Sequence, residues 1–64
     1  MKTGKSLKEL RQKMKLTQVE LAEKAGLHPN YYARLERGEE KPSIDTVKKL
    51  SKILKVSSSE ILGF

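Results

Sequence analysis

Residues 17–38, TQVELAEKAGLHPNYYARLERG, decide the fold, because they read as two short helices joined by one tight glycine turn. Thr17 and Glu20 have the spacing of a capping box, in which a hydroxyl and a carboxylate satisfy backbone N–H groups reciprocally at a helix start. Leu21, Ala22 and Ala25 then form an inward face, and Gly26 supplies the cheap positive φ at which helices commonly end. Leu27 is expected to plug the turn. Pro29 suits the first position of the next helix: its φ is preset, its missing N–H would be unpaired anyway, and its ring pushes His28 to extended geometry. In that second helix Tyr32 and Leu35 are three apart and turn inward, which leaves Asn30, Tyr31, Arg34 and Arg37 facing out.

Working outward, helical spacing accounts for nearly all the rest. A helix is expected over about Gly4 to Met14, with Leu7, Leu10 and Met14 as its apolar stripe. Thr3 and Ser6 are rival caps there, since Ser6 makes a box with Glu9. Another helix begins near Ser43, whose hydroxyl can cap it, and carries Ile44, Val47, Leu50, Ile53 and Leu54 inward. Asp45 at its start and Lys52 and Lys55 at its end match the helix dipole. A short last helix follows Ser57, which repeats the capping-box spacing with Glu60, while Ile61 and Leu62 close the core. No strand is expected.

The 64 residues allow one domain over residues 1–64, near the lower limit for a core without staples. With no cysteine, neither a disulfide framework nor a thiolate metal site can be built, and one histidine cannot build a metal site alone. The N-terminal MKTGKS leads into a charged helix without an apolar signal region or a bilayer-length segment, so a soluble, cytoplasmic protein without membrane attachment is expected. Formal charge is +6, distributed as +5 over residues 1–15, −2 over 16–40 and +3 over 41–64. That excess suits either simple solubility or a polyanionic partner. Enzymatic chemistry is not indicated: there is no nucleophile with a base, no paired acids with a pocket and no phosphate-cradling glycine loop. No cofactor is expected.

The set Gln18, Glu20, Leu21, Ala22, Gly26, Leu27, Tyr32, Leu35, Glu36 and Gly38, followed by Pro42, Ser43, Asp45 and Thr46, resembles the helix-turn-helix of the Cro and Xre type, the phage lambda repressor-like family. The resemblance covers nearly the whole chain. It implies an all-α, compact five-helix DNA-binding domain, with Ala22 small because two helices cross closely. It also implies a sequence-specific regulator of transcription whose third helix, about residues 29–37, enters the major groove of double-stranded DNA. Two positions depart from the family pattern. Lys55 stands where a glycine usually follows the fourth helix, which would cost on the order of 1 kcal/mol if the residue were left-handed. Tyr32 stands where an aliphatic residue is usual, so its hydroxyl is expected to emerge toward the surface.

Candidate site residues follow from register and resemblance together. The Arg34 guanidinium matches guanine O6 and N7 bidentately. By family correspondence Asn30 sits at a base-reading position, as does Pro29, which offers only apolar contact with a thymine methyl; His28 borders the same surface. Gln18, at the second helix's start, corresponds to residues that hold a phosphate oxygen. Tyr31, Arg37 and Lys41 flank the reading helix and are assigned to phosphates. The family pattern also pairs Arg11 with Glu36, a clamp on the reading helix. Proteins of this kind usually act as homodimers on palindromic operators, which makes Ile61, Leu62 and Phe64 the candidate two-fold contact. The rival reading is an antitoxin-like or other protein-binding module with secondary DNA binding.

Overall fold

A computed structural model describes residues 3–62, with side chains from Ser6 to Ile61. The helices are α1 (Thr3–Lys13), α2 (Gln18–Lys24), α3 (Pro29–Glu36), α4 (Ile44–Leu54) and α5 (Ser58–Leu62), and no strand occurs among the described residues. At 5 to 11 residues, none is long enough to be stable alone in water, so packing of the apolar faces decides the fold. α1 packs on α3 and α5, α2 on α3, and α4 on α5. Leu7, Leu21, Ala22, Tyr32, Leu35, Leu50 and Ile61 are fully buried where these faces meet. Each large side chain among them contributes roughly 1.5–3 kcal/mol by leaving water.

The helix starts follow the sequence closely. Thr17 Oγ1 accepts from Glu20 N–H at 3.0 Å, and Glu20 Oε1 accepts from Thr17 N–H at 2.8 Å. Ser43 Oγ accepts from Thr46 N–H at 3.1 Å, and Ser57 exchanges bonds of 3.3 and 3.4 Å with Glu60. Pro29 is the first residue of α3. α1 starts at Thr3, so Ser6 lies inside the helix and is not its cap.

Four helix ends share one closing motif. Leu27 N–H donates to Ala22 O at 2.8 Å across Gly26 (φ 70), and Glu39 N–H to Arg34 O at 3.0 Å across Gly38 (φ 77). The same reach spans Lys15 (φ 59), from Leu16 N–H to Arg11 O at 3.3 Å, and Lys55 (φ 57), from Val56 N–H to Ser51 O at 3.2 Å. Lys55 thus takes the left-handed conformation despite its Cβ, because the motif satisfies carbonyls the helix would otherwise leave unpaired.

Three expectations about facing are corrected. Met14 lies past the end of α1 and is 40% exposed, because the chain turns at Lys15 before another helical turn can bring it inward. Ile44 is 78% exposed: as the first residue of α4 it lies on the solvent side of the Ser43 cap, and Thr46 occupies the buried position instead. The Tyr32 hydroxyl does not emerge. Its ring is fully buried, and the hydroxyl turns along α3 to Glu36.

Candidate nucleic-acid interface

The most heavily hydrogen-bonded side chain among the described residues is the carboxylate that ends α3. Glu36 accepts from Arg11 Nε at 2.6 Å, Arg11 Nη2 at 3.1 Å, Gln18 Nε2 at 3.0 Å and the Tyr32 hydroxyl at 2.5 Å. Arg11 Nη1 donates in addition to Leu16 O at 2.8 Å, on the turn that leads into α2. One carboxylate therefore joins α1, the start of α2 and the last turn of α3. The Arg11 and Glu36 side chains are 12% and 4% exposed. Burial by itself pushes the Glu36 carboxyl up, but hydrogen bonds from Arg11, Tyr32 and Gln18 outweigh it and hold the group below the ordinary carboxylate range. The Arg11 guanidinium is held above its usual value by the same bond to Glu36. Burial, and then the neighbouring Glu36, raise the Tyr32 phenol. For a pair this buried, desolvation offsets much of the attraction, so its chief effect is to fix orientation.

With Tyr32 and Leu35 facing the core, α3 turns its other side outward. His28 caps the helix, its Nδ1 accepting from Asn30 N–H at 3.1 Å. His28 and Asn30 are exposed, and Pro29 is half-buried beneath them. Arg34 lies one turn beyond Asn30, its guanidinium 6.0 Å from the centroid of the Tyr31 ring, at the outer range of a cation–π contact. It pairs with Glu40 at 3.2 Å, and Arg37 pairs with Glu39 at 2.7 Å. Lys41 is exposed on the same loop.

Three candidates stand differently from their sequence expectation. The Tyr31 ring is half-buried against the core, and its hydroxyl lies 3.3 Å from Thr46 Oγ1, which also accepts from Ser43 Oγ at 3.0 Å. Gln18 gives an amide N–H to Glu36, so it belongs to the clamp as well as to the start of α2. Ile61, expected at a two-fold contact, is fully buried within the chain's own core and has no surface left to offer a second copy. The Leu62 side chain and Phe64 lie outside the described residues.

Sequence reasoning missed Tyr32 as a member of the clamp, although its spacing of four from Glu36 on one helix face was a usable signal. The Arg34–Glu40 and Arg37–Glu39 pairs carried no such signal, because they depend on the turn at Gly38. Among the described residues no group of three or more His, Asp or Glu is placed to hold a metal ion, and no helix is long and apolar enough to cross a membrane.

Two short helices crossing at a glycine turn, with the second clamped and turned outward, define the helix-turn-helix class. The chain belongs to the helix-turn-helix family of the Cro and Xre type: the helix-turn-helix family model matches residues 7–61. It is 41% identical over 63 residues to the immunity repressor protein of Bacillus phage phi105, covering 98% of this chain and 44% of that protein. It is 44% identical over 63 residues to the HTH-type transcriptional regulator ImmR of Bacillus subtilis (strain 168), covering 98% of this chain and 50% of the other. The chain thus spans about half the length of these two relatives. The control protein C.BamHI of Bacillus amyloliquefaciens is 34% identical over 62 residues, 95% of this chain and 76% of its own length. Among solved structures, the restriction-modification controller protein C.AhdI from Aeromonas hydrophila superposes with a TM-score of 0.89 at 35% identity, covering 94% of this chain and 91% of that one.

Proposed function

We propose that this chain is a sequence-specific double-stranded DNA-binding domain that regulates transcription, with α3 in the major groove and the start of α2 against the phosphate backbone. The observation that carries the reading is the clamp at Glu36. It holds an eight-residue helix by its end while Asn30, Arg34 and Arg37 face away from the core. A helix fixed in this way needs little reordering to meet base edges. The family membership and the repressor, regulator and control proteins it resembles support the same reading.

Roles are assigned by chemistry. Arg34 offers a planar fork suited to guanine O6 and N7, and Asn30 an amide suited to adenine N6 and N7. His28 and Pro29 border the bases at the helix start. Gln18 with the N-terminus of α2, Arg37 and Lys41 meet phosphates. Tyr31 contributes from the edge of the core, by supporting Arg34 and by its hydroxyl. Such a regulator works in the cytoplasm of a prokaryotic cell, where the DNA lies.

Two copies on a two-fold site complete the proposal. A good bidentate base contact supplies about 1–3 kcal/mol of discrimination, whereas selecting a site from a genome takes roughly 4–10 kcal/mol. One α3 offers two such side chains, Arg34 and Asn30, which together supply about 2–6 kcal/mol and reach only the lower part of that range. The backbone measures 25 × 23 × 20 Å and carries a single outward-facing α3, so two successive major grooves about 34 Å apart take one α3 from each of two copies. The test is selection from random-sequence duplexes. Enrichment of a two-fold site with half-sites one helical turn apart supports the proposal, and no enrichment over unselected DNA overturns it.

A further inference from the structure

Glu39 and Glu40 lie just past the C-terminal end of α3, after the Arg37 cap and Gly38, where the helix dipole favours cations. Local structure therefore gives no reason for two successive carboxylates there. The turn at Gly38 folds them back along the helix, with Glu39 N–H anchored on Arg34 O at 3.0 Å. Each then takes one arginine of the outward face. Glu40 Oε1 accepts from Arg34 Nε at 3.2 Å, and Glu39 accepts from Arg37 Nε at 2.7 Å and from its Nη2 at 3.4 Å. The bond to Arg37 holds the Glu39 carboxyl below its ordinary range, with Arg34 adding to the effect. All four side chains are between 40% and 56% exposed, so the pairs add little to stability and open easily. Without these two carboxylates residues 16–40 would be formally neutral, and with them they carry −2 in a chain of +6.

We propose that Glu39 and Glu40 are internal competitors of DNA, masking Arg37 and Arg34 until a duplex displaces them, and so setting the floor of sequence-independent binding. The inference rests on the DNA-binding reading above. On an unrelated duplex the arginines exchange a carboxylate for a phosphate, one anion for another, and the released carboxylates are left facing the phosphate backbone. The exchange gains little, and the masked arginines release fewer condensed counterions. On a preferred site Arg34 gains a guanine edge, which offsets the same repulsion. A low floor matters because a genome offers on the order of a million or more competing sites.

The test is affinity for a scrambled duplex over a salt series, for the unaltered chain, for Glu39→Gln/Glu40→Gln, for Arg34→Gln/Arg37→Gln and for all four changes together. The acid double variant is expected to bind scrambled DNA about tenfold tighter at low salt, the scale of two exposed ion pairs released together. Its slope of log affinity against log salt should steepen by about 0.9 for each unmasked arginine. In the background without arginines the gain should vanish. No gain, or an equal gain without the arginines, overturns the inference while leaving a chain that still selects its site. Failure of every form to bind any duplex at low salt overturns the DNA-binding reading itself, and the inference with it.

Discussion

Tyr32 donates its hydroxyl to Glu36, one helical turn further along α3, so a fully buried ring delivers its polar tip to the same carboxylate that Arg11 grips from α1. Core and clamp are thereby one structure. A phenol placed where an aliphatic side chain is usual in this family costs a buried hydroxyl, and the carboxylate already present satisfies it. The arrangement fixes the C-terminal half of α3: Leu35 and Tyr32 from beneath, and Glu36 at its end.

The clamp should be measurable as coupling. In a double-mutant cycle with Arg11→Met and Glu36→Gln, thermal unfolding should give a coupling of about 0.5–3 kcal/mol, as expected for residues sharing one hydrogen-bonded network. Strict additivity would mean that the two charges stabilise the fold independently. Tyr32→Phe should cost about 1 kcal/mol with unchanged helix content, the scale of one hydrogen bond made inside the protein.

Acid should weaken the same network. Glu36 titrates in the folded chain below its ordinary value of 4.5, so between the two values the unfolded chain binds more protons and stability rises with pH. The contribution is complete above the unfolded value and is lost as pH falls through the folded one. The thermal midpoints of the unaltered chain and of Glu36→Gln should therefore lie furthest apart near neutral pH and converge below about pH 4.5. Exposed Glu20 and Glu39, also depressed, are common to both proteins and cancel in the comparison. A gap that stays constant down to acid pH would contradict the assignment.

Much of this was legible in the sequence because it was written locally. Thr17 with Glu20, Pro29 and Gly26 each state a backbone requirement within a few residues, and the structure meets each of them. The pairing of Arg11 with Glu36 was legible only through family resemblance, since 25 residues separate them. What escaped reading was set by tertiary geometry. Ile44 counts as apolar in any periodicity, yet its place on the first turn of α4 leaves it in solvent, while Thr46 is buried because Ser43 and Tyr31 satisfy its hydroxyl. Lys15 adopts a conformation that only glycine would have announced, whereas at Lys55 the family resemblance marked the position in advance.

Those left-handed residues give an opposed pair of expectations. Lys55→Gly should raise stability by about 1 kcal/mol, since the Cβ penalty is removed at φ 57. Gly26→Val should lower it by more than about 1 kcal/mol through backbone strain alone, because nothing lies within 4 Å of a Cβ placed there. Denaturant midpoints moving in the same direction for both would show that the shared closing motif is misread.

Lys41 should act on DNA through charge alone. Lys41→Ala is expected to weaken matched and scrambled duplexes alike and to flatten the salt slope by about 0.9 per chain, twice that for two copies on one site. An unchanged slope would remove Lys41 from the phosphate contacts.

The central claim is that α3 reads bases through its outward face, and Arg34 tests it most directly. Affinity of the unaltered chain and of Arg34→Ala should be compared on a selected duplex and on its scrambled counterpart at one salt concentration. A loss of about 1–3 kcal/mol is expected on the selected duplex and a much smaller change on the scrambled one, so that discrimination falls rather than affinity alone. Equal weakening on both duplexes would contradict it, because Arg34 would then be contributing charge to the backbone and not reading a base.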